Sequence, residues 1–203
     1  MKKIYIAILA AMLLLPATGA FAQSHLGLGV ELLAPITPYS KGYGTGYGVA
    51  LMYRNFAMTR SFMWDASIGF TRTSAKDPFV GEIDDYGNID MVTPTKLGGY
   101  FWRFGFAWAF IPNGSPYTQP YAGFDVGYSL NTQNGHVSYG QYVAGLRIGW
   151  MTYINERFLF GFEAKYNGMV SSSGRNDSRY TSIADIYDHQ MTFQLSSNIR
   201  LGR

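Results

Sequence analysis

The chain has 203 residues, of which 17% are aromatic and 14% charged, with 24 glycines and no cysteine. These values indicate one domain and exclude disulfide scaffolds, thiolate metal sites, a lipid-modified N-terminal cysteine and a disordered chain. The formal net charge of +3 falls to +1 when Lys2 and Lys3 are removed, which gives no reason to expect a nucleic-acid partner.

The N-terminal segment predicts a cleaved export signal. Lys2 and Lys3 precede an apolar run over 4–15, and small residues precede Gln23. The run ends at Pro16, short of the roughly 20 residues that a membrane helix needs. We therefore expect secretion into the bacterial envelope, with a signal peptide over 1–22 and a mature domain over 23–203.

Apolar and small or polar residues alternate with period two through the mature chain. In one segment Trp102, Phe104 and Phe106 share one parity, whereas Arg103 and Gly105 share the other. Segments of about ten residues with this alternation, separated by turn residues, are typical of transmembrane β-barrels. The prediction is an all-β fold, an eight-stranded antiparallel up-and-down transmembrane β-barrel. The eight segments are 25–33, 46–56, 61–72, 96–110, 119–130, 141–153, 157–168 and 189–201.

The connections between the segments alternate in length. All prolines of the mature chain lie between segments or at their starts, where a missing backbone donor is tolerated. Outer-membrane barrels have short periplasmic turns and long outer loops, so both termini are expected in the periplasm. The long connections are 34–45, 73–95, 131–140 and 169–188, and the short ones are 57–60, 111–118 and 154–156.

The parity of the aromatic residues separates a membrane barrel from a soluble one. An eight-stranded barrel has little room inside, so the glycine-rich face must line the lumen and the large apolar face must contact lipid. A soluble or surface-attached β-sandwich is the alternative. We expect two aromatic girdles: Phe56, Phe62, Trp64, Trp108, Phe110, Trp150 and Phe158 near the inner rim, and Tyr47, Phe70, Tyr100, Tyr128, Tyr142 and Tyr166 near the outer rim.

The export signal, the eight strands, the connection lengths and the glycine-rich charged face together resemble the small outer-membrane proteins of the OmpA transmembrane-domain and OmpX type. The resemblance implies a monomer in contact with outer-membrane lipid and lipopolysaccharide, inserted by the barrel-assembly machinery. Two features differ from that family. No peptidoglycan-binding domain follows the eighth segment, and the chain ends without a C-terminal aromatic residue, so that Leu201 or Phe193 would have to serve as the assembly signal.

The strand charges all fall on the predicted lumen face, as expected because a cation facing lipid at the midplane costs about 2–4 kcal/mol. Residues paired across a hairpin have numbers that sum to twice the turn centre, which predicts cross-strand pairs between opposite charges. The expected pairs are Arg54 with Asp65, Arg103 with Asp125, Asp125 with Arg147, and Arg147 with Glu163; Asp65 could also meet Arg103. The full set on the lumen face is Glu31, Arg54, Asp65, Arg103, Asp125, Arg147, Glu163, Lys165 and Arg200.

Two interpretations of these charges remain open. Compensating charges could fill and close the lumen, because paired buried charges are tolerated and unpaired ones are costly. Alternatively, exchange of ion-pair partners could open a narrow conduit. A wide pore is excluded by the strand number in either case.

Arg72 has the outward parity of Phe70 at the outer end of the third segment, and Lys96 starts the fourth. The two cations are candidates for contact with lipopolysaccharide phosphates.

An enzymatic site has little support in the sequence. His25 and His136 are expected to be solvated. His189 follows a loop with Ser182, Asp185 and Asp188, without a recognisable triad. Carboxylates in the second long connection lack the spacing of a calcium loop, and a solvated hairpin tip around 86–88 is expected there instead. These acidic and amide residues are Glu82, Asp84, Asp85, Asn88 and Asp90. We expect no metal and no cofactor.

The function predicted from the sequence is that of a non-enzymatic integral outer-membrane protein. It would contribute to envelope integrity and display loops that bind an extracellular ligand. The alternatives are a narrow channel or transporter for small or apolar solutes and, third, a lipid A-modifying enzyme.

Overall fold

The computed structural model describes residues 21–36, 43–57, 62–76, 79–83, 89–92, 97–110, 117–133, 136–171 and 188–201. Within these ranges, no helix has the length and apolar character needed to span a membrane. The strands are β1 (Phe21–Pro35), β2 (Tyr43–Ala57), β3 (Phe62–Ala75), β4 (Phe79–Ile83), β5 (Ile89–Val92), β6 (Leu97–Ala109), β7 (Thr118–Gln133), β8 (His136–Tyr153), β9 (Phe158–Ser171) and β10 (Asp188–Leu201).

Eight of these strands close an antiparallel barrel in the order β1-β10-β9-β8-β7-β6-β3-β2. Strands that follow one another in the barrel are paired as neighbours, and β1 also pairs with β10 to close the sheet. The eight-stranded up-and-down barrel predicted from the alternation is therefore confirmed. We call the end with the connections after β2, β6 and β8 the short-turn end, and the opposite end the long-loop end.

Two of the expected long connections contain strand structure. β7 and β8 continue towards each other until Gln133 pairs with His136, so the expectation of a long loop over 131–140 is wrong. On β8, Val137 and Tyr139 alternate with His136 and Ser138, which is the period-two pattern of a strand. In the connection between β3 and β6, β4 and β5 form a separate hairpin in which Phe79 pairs with Val92. The expected tip of that hairpin, at 86–88, lies outside the described residues.

The barrel wall is apolar outside and mixed inside. On β6, Trp102 and Trp108 are about half exposed, whereas Phe101 and Arg103 on the other parity are buried. Bulky aromatic and β-branched residues suit such a pleated wall.

The two predicted girdles largely face outward, with one clear error. Phe56 is fully buried inside the barrel, so its assignment to the inner girdle is wrong. It shares the lumen parity of Arg54, and its ring fills the narrow short-turn end. Trp64 does face outward, yet it is only 4% exposed because Tyr53 and Phe104 cover it, with ring centroids 5.4 and 5.6 Å away.

Candidate functional site: the charged barrel lumen

Four charged side chains form a closed ring across the lumen. Asp65 Oδ2 lies 3.5 Å from Arg54 Nε and 2.7 Å from Arg147 Nη1. Glu163 Oε2 lies 3.5 Å from Arg147 Nη1 and 3.8 Å from Arg54 Nη2. Cations and carboxylates therefore alternate around the ring, and each arginine serves both acids. We call this group the four-charge ring.

The remaining lumen charges extend from this ring or form a separate pair. Lys165 Nζ lies 2.8 Å from Glu163 Oε1 and 3.7 Å from Asp125 Oδ2. The Tyr121 hydroxyl donates a 2.6 Å hydrogen bond to Glu163 Oε2. These contacts leave Glu163 with three cations and one hydroxyl around its carboxylate.

Nearer the long-loop end, Arg103 Nη1 donates to Glu31 Oε1 at 2.8 Å. The same guanidinium lies over the Phe101 ring, 4.0 Å from its centroid. An arginine stacked on an aromatic ring loses little freedom on binding a carboxylate, so this pair is well fixed.

The paired lumen charges cancel. Each has little exposure, and an unpaired charge at such a depth would be costly. The four cations are Arg54, Arg103, Arg147 and Lys165, and the four carboxylates are Glu31, Asp65, Asp125 and Glu163.

Glycines on neighbouring strands make room for these long side chains. Gly105 lies opposite both Asp65 and Asp125, and a Cβ there would come within 2.8 Å of Arg147 Cζ. Gly123 likewise lies opposite Arg147. Because these neighbouring positions have no side chain, Asp65, Asp125 and Arg147 have room to extend into the lumen.

An apolar cluster closes the short-turn end of the barrel, and we call it the apolar floor. Phe56, Met63, Met151 and Leu159 are each 1% exposed or less, and Tyr121 connects the cluster to Glu163 above it. This floor was not predicted from the sequence, although its residues share the lumen parity. The members are Phe56, Met63, Ala107, Ala109, Tyr121, Met151, Tyr153 and Leu159.

His25 belongs to the same region. It is 1% exposed, and its ring lies 5.3 Å from Phe56 and 6.4 Å from Tyr153, centroid to centroid. The expectation of a solvated His25 is therefore wrong, because β1 begins before this residue and directs its side chain into the barrel.

Amide side chains occupy the lumen towards the long-loop end and were also missed. Asn131 Nδ2 donates to Gln141 Oε1 at 2.7 Å, and Asn167 Nδ2 donates to Thr192 Oγ1 at 3.1 Å. The lumen thus carries amides at its long-loop end, charges in the middle and the apolar floor at the short-turn end, where Gln119 is also buried opposite Met151.

The hairpin arithmetic gives the correct register for one pair and a displaced register for three, although Arg147 and Glu163 still meet through their side chains at 3.5 Å. Arg54 lies opposite Asp65, as predicted. On the next hairpin Arg103 lies opposite Gly127 and Asp125 opposite Gly105, so these two charges are displaced by two residues from the expected register.

The other two hairpins show the same displacement. Asp125 lies opposite Gly145 on β8, and Glu163 lies opposite Gly149 instead of Arg147. The β7–β8 ladder ends in the pair of Gln133 and His136, so its turn lies nearer to β7 than the middle of the expected 131–140 connection. The displacement is even, so every side chain stays on the lumen face.

Arg103 pairs with Glu31 and not with Asp65 or Asp125, because its side chain reaches across the lumen to β1. Arg200 is half-buried opposite His25 and takes part in none of the ion pairs among the described residues.

The other candidate residues lie outside the lumen or outside the described part of the chain. Arg72 is exposed on the outer wall, opposite Tyr47. Lys96 lies outside the described residues, as do Ser182 and Asp185. His189 Nδ1 lies 2.9 Å from the Tyr166 hydroxyl, and the two rings stack. No group of three potential metal ligands occurs in the part of the chain that the structure describes.

An apolar outer wall around a charge-paired interior defines an eight-stranded barrel of the membrane class. Comparison with solved structures leads to the same class. Neisserial surface protein A is similar, with a TM-score of 0.56, 10% identity, and coverage of 88% of this chain and 97% of that one. OprG from Pseudomonas aeruginosa has a TM-score of 0.54 and 9% identity, covering 91% and 99%.

The attachment invasion locus protein Ail of Yersinia pestis has a TM-score of 0.49 and 14% identity, covering 88% and 98%. Scans against protein-family models and curated proteins give no match. The similarity to Neisserial surface protein A and OprG shows that the chain has the fold of the small eight-stranded outer-membrane barrels of the OmpA transmembrane-domain and OmpX type.

Proposed function

We propose that this protein is a non-enzymatic integral protein of the bacterial outer membrane with a closed lumen. It contributes to envelope integrity and presents its long-loop end, including the β4–β5 hairpin, at the cell surface. Both termini lie in the periplasm, because outer-membrane barrels place their short turns there.

A closed lumen is supported by one observation: the four-charge ring is followed along the barrel by the apolar floor. The ring spans the lumen through ion pairs of 2.7 to 3.8 Å. Below it, Phe56, Met63 and Met151 are fully buried against one another. A permeating ion would have to lose its hydration shell among apolar side chains, which is costly.

The proposed partners follow from the same placement. Outer-membrane lipid covers the apolar wall, and Arg72 binds lipopolysaccharide phosphate together with Lys96. The barrel-assembly machinery inserts the chain, which works as a monomer, and the surface loops bind an extracellular ligand.

A planar-bilayer conductance measurement tests the closed lumen. The refolded protein is expected to give no stable conductance steps. The matched control carries Phe56→Ser and Met151→Ser, which removes two of the largest fully buried side chains of the apolar floor and is expected to admit small ions. Steps from the unmodified protein would contradict a closed lumen.

The second candidate function is that of a narrow conduit. It is favoured by Arg147, which contacts two carboxylates at once. Its Nη1 lies 2.7 Å from Asp65 and 3.5 Å from Glu163, so a small movement could exchange its partner. Conductance that disappears in Arg147→Met but persists in Arg103→Met would favour this function over a closed barrel.

A further inference from the structure

The outer wall carries one large concave surface, which we call the wall groove. It is an indentation of about 930 Å³ across β1, β2, β3 and β6, extending to β9 and β10. Its sides are almost entirely apolar and include Leu28, Val49, Leu51, Ile68, Phe70 and Trp102. A barrel wall is ordinarily convex outside, so an indentation of this size needs a local cause.

The cause lies in the inward-facing residues behind the wall groove. These positions are occupied by Gly29, Ala50 and Gly69. Because these residues are small, the barrel wall can lie close to the side chains that fill the lumen. A Cβ at Gly69 would come within 2.5 Å of Phe101 Cζ, and Ala50 packs with Met52 and Phe101 in a buried cluster. The backbone at Gly69 therefore lies close to the Phe101 ring, and the outer surface is indented at this position.

A cation lies beyond the groove on the same face. Arg72 is exposed two residues past Phe70, opposite Tyr47 on β2, and Tyr47 is itself 62% exposed. At about 3.4 Å per residue and a tilt of about 40°, Arg72 lies roughly 10 Å nearer the long-loop end than Ile68. Half of the hydrocarbon core is about 15 Å thick, so the groove and the cation fit within one leaflet.

Arg72 forms no ion pair with any other described residue, so it can bind a lipid phosphate. All the ion pairs found among the described residues join lumen side chains, and none involves Arg72. Among the barrel-strand carboxylates whose side chains the structure describes, Glu31, Asp65, Asp125 and Glu163 all point inward. A second copy packed wall to wall would therefore offer Arg72 no acidic partner from these residues, whereas a lipid headgroup offers a phosphate.

We propose that the wall groove is a lipid-binding site, in which an acyl chain of an outer-leaflet lipid lies in the groove and the phosphate of that lipid binds Arg72. The assignment deepens the proposed lipid contact and rests on the proposed orientation of the barrel. An acyl chain needs no hydrogen bond from the apolar sides. A guanidinium can donate two parallel hydrogen bonds to a phosphate.

Quenching of Trp102 fluorescence tests this site, because Trp102 lines the groove. The protein is refolded into phosphatidylcholine vesicles that contain a fixed fraction of a lipid brominated on its acyl chains, either phosphatidic acid or phosphatidylcholine. Trp102→Phe, measured in parallel, isolates the Trp102 signal. A single cation near the surface contributes about 1 kcal/mol, so phosphatidic acid is expected to occupy the groove about fivefold in preference to phosphatidylcholine.

Three variants separate the headgroup contact from the groove. Arg72→Gln is expected to abolish the preference. Ser197→Phe fills the groove, which Ser197 lines from β10, and is also expected to abolish it while Arg72 remains. Arg157→Gln removes an exposed arginine from the short-turn end and is the matched control, with the preference unchanged.

Two results would overturn the proposal. Equal quenching by both brominated lipids in the unmodified protein would mean that any acyl chain covers the wall. A preference that survives Ser197→Phe but not Arg72→Gln would leave a headgroup contact without an acyl site. Neither result bears on the closed lumen, which the conductance measurement tests separately.

Discussion

The guanidinium of Arg147 occupies the space next to Gly105 where a side chain would otherwise lie. A Cβ on Gly105 would come within 2.8 Å of Arg147 Cζ and Nη2. Arg147 extends from β8 to Asp65 on β3, three strands away in the barrel order, and Gly105 on β6 lies between them. The glycine thus leaves room for the shortest ion pair of the four-charge ring, that between Arg147 and Asp65.

Replacement of Gly105 by valine is expected to displace the guanidinium and lower the free energy of unfolding by about 1–3 kcal/mol, the usual cost of overpacking. Urea titration of the refolded protein measures the change. Gly168→Val is the matched control, because a Cβ at Gly168 meets its nearest atom only at 3.8 Å. Equal midpoints for the two variants would show that Arg147 does not need this space.

Removal of one member of the four-charge ring is expected to cost more than removal of two. Arg147→Met leaves Asp65 and Glu163 undercompensated, at a typical cost of about 3–5 kcal/mol that lumen water reduces. Adding Asp65→Leu leaves the pair of Arg54 and Glu163, so the double variant is expected to recover part of the loss.

A double-mutant cycle on the free energy of unfolding measures this coupling. The control cycle combines Arg103→Met with Asp65→Leu, which touch no common partner and are expected to be additive within about 0.5 kcal/mol. Zero coupling between Arg147 and Asp65 would contradict the ring.

Replacement of Arg72 and Lys96 by glutamine is expected to weaken retention of lipopolysaccharide through purification without changing the unfolding midpoint. Both changes remove a cation proposed to contact phosphate, and the exposed Arg72 takes no part in packing of the lumen. Bound lipopolysaccharide is quantified per mole of protein, with Arg157→Gln as control. Unchanged retention in the double variant counts against the contact.

Cleavage of the export signal is expected to produce a mature protein that starts at Gln23 and fractionates with outer membranes. N-terminal sequencing and carbonate extraction of membranes test the two parts of this prediction. Heat-modifiable gel migration of the extracted protein would show the closed barrel. Recovery in the soluble periplasm without detergent would contradict a membrane protein.

The strand number and the inner and outer faces were predictable because each follows from alternation within one strand. Trp102 and Arg103 differ in environment simply because neighbouring residues point to opposite faces. The pairing between strands was less predictable. Arg54 and Asp65 flank a short turn and were matched correctly, whereas Arg103 and Asp125 were not, since the position of the turn within a connection is not encoded in either strand.

The contacts across the lumen could not be predicted from the sequence, for a different reason. Glu31 and Arg103 are separated by 72 residues and by two intervening strands, so no local pattern joins them. The apolar floor had a detectable signal, because Met63 and Met151 share the lumen parity of Asp65 and Arg147. Only charged residues and glycines were predicted to mark the lumen face, so these apolar residues were not assigned to it.

The pair of Arg54 and Glu163 has a consequence for assembly of the barrel. Arg54 is on β2 and Glu163 is on β9, and the only strands between them on the shorter side are β1 and β10, the two ends of the sheet. In a sheet that is open between β1 and β10, Arg54 and Glu163 lie far apart, each on the second strand from an edge. The four-charge ring can therefore be completed only when β1 pairs with β10. The ion pair of Arg54 and Glu163 thus stabilises the closure between the first strand and the last.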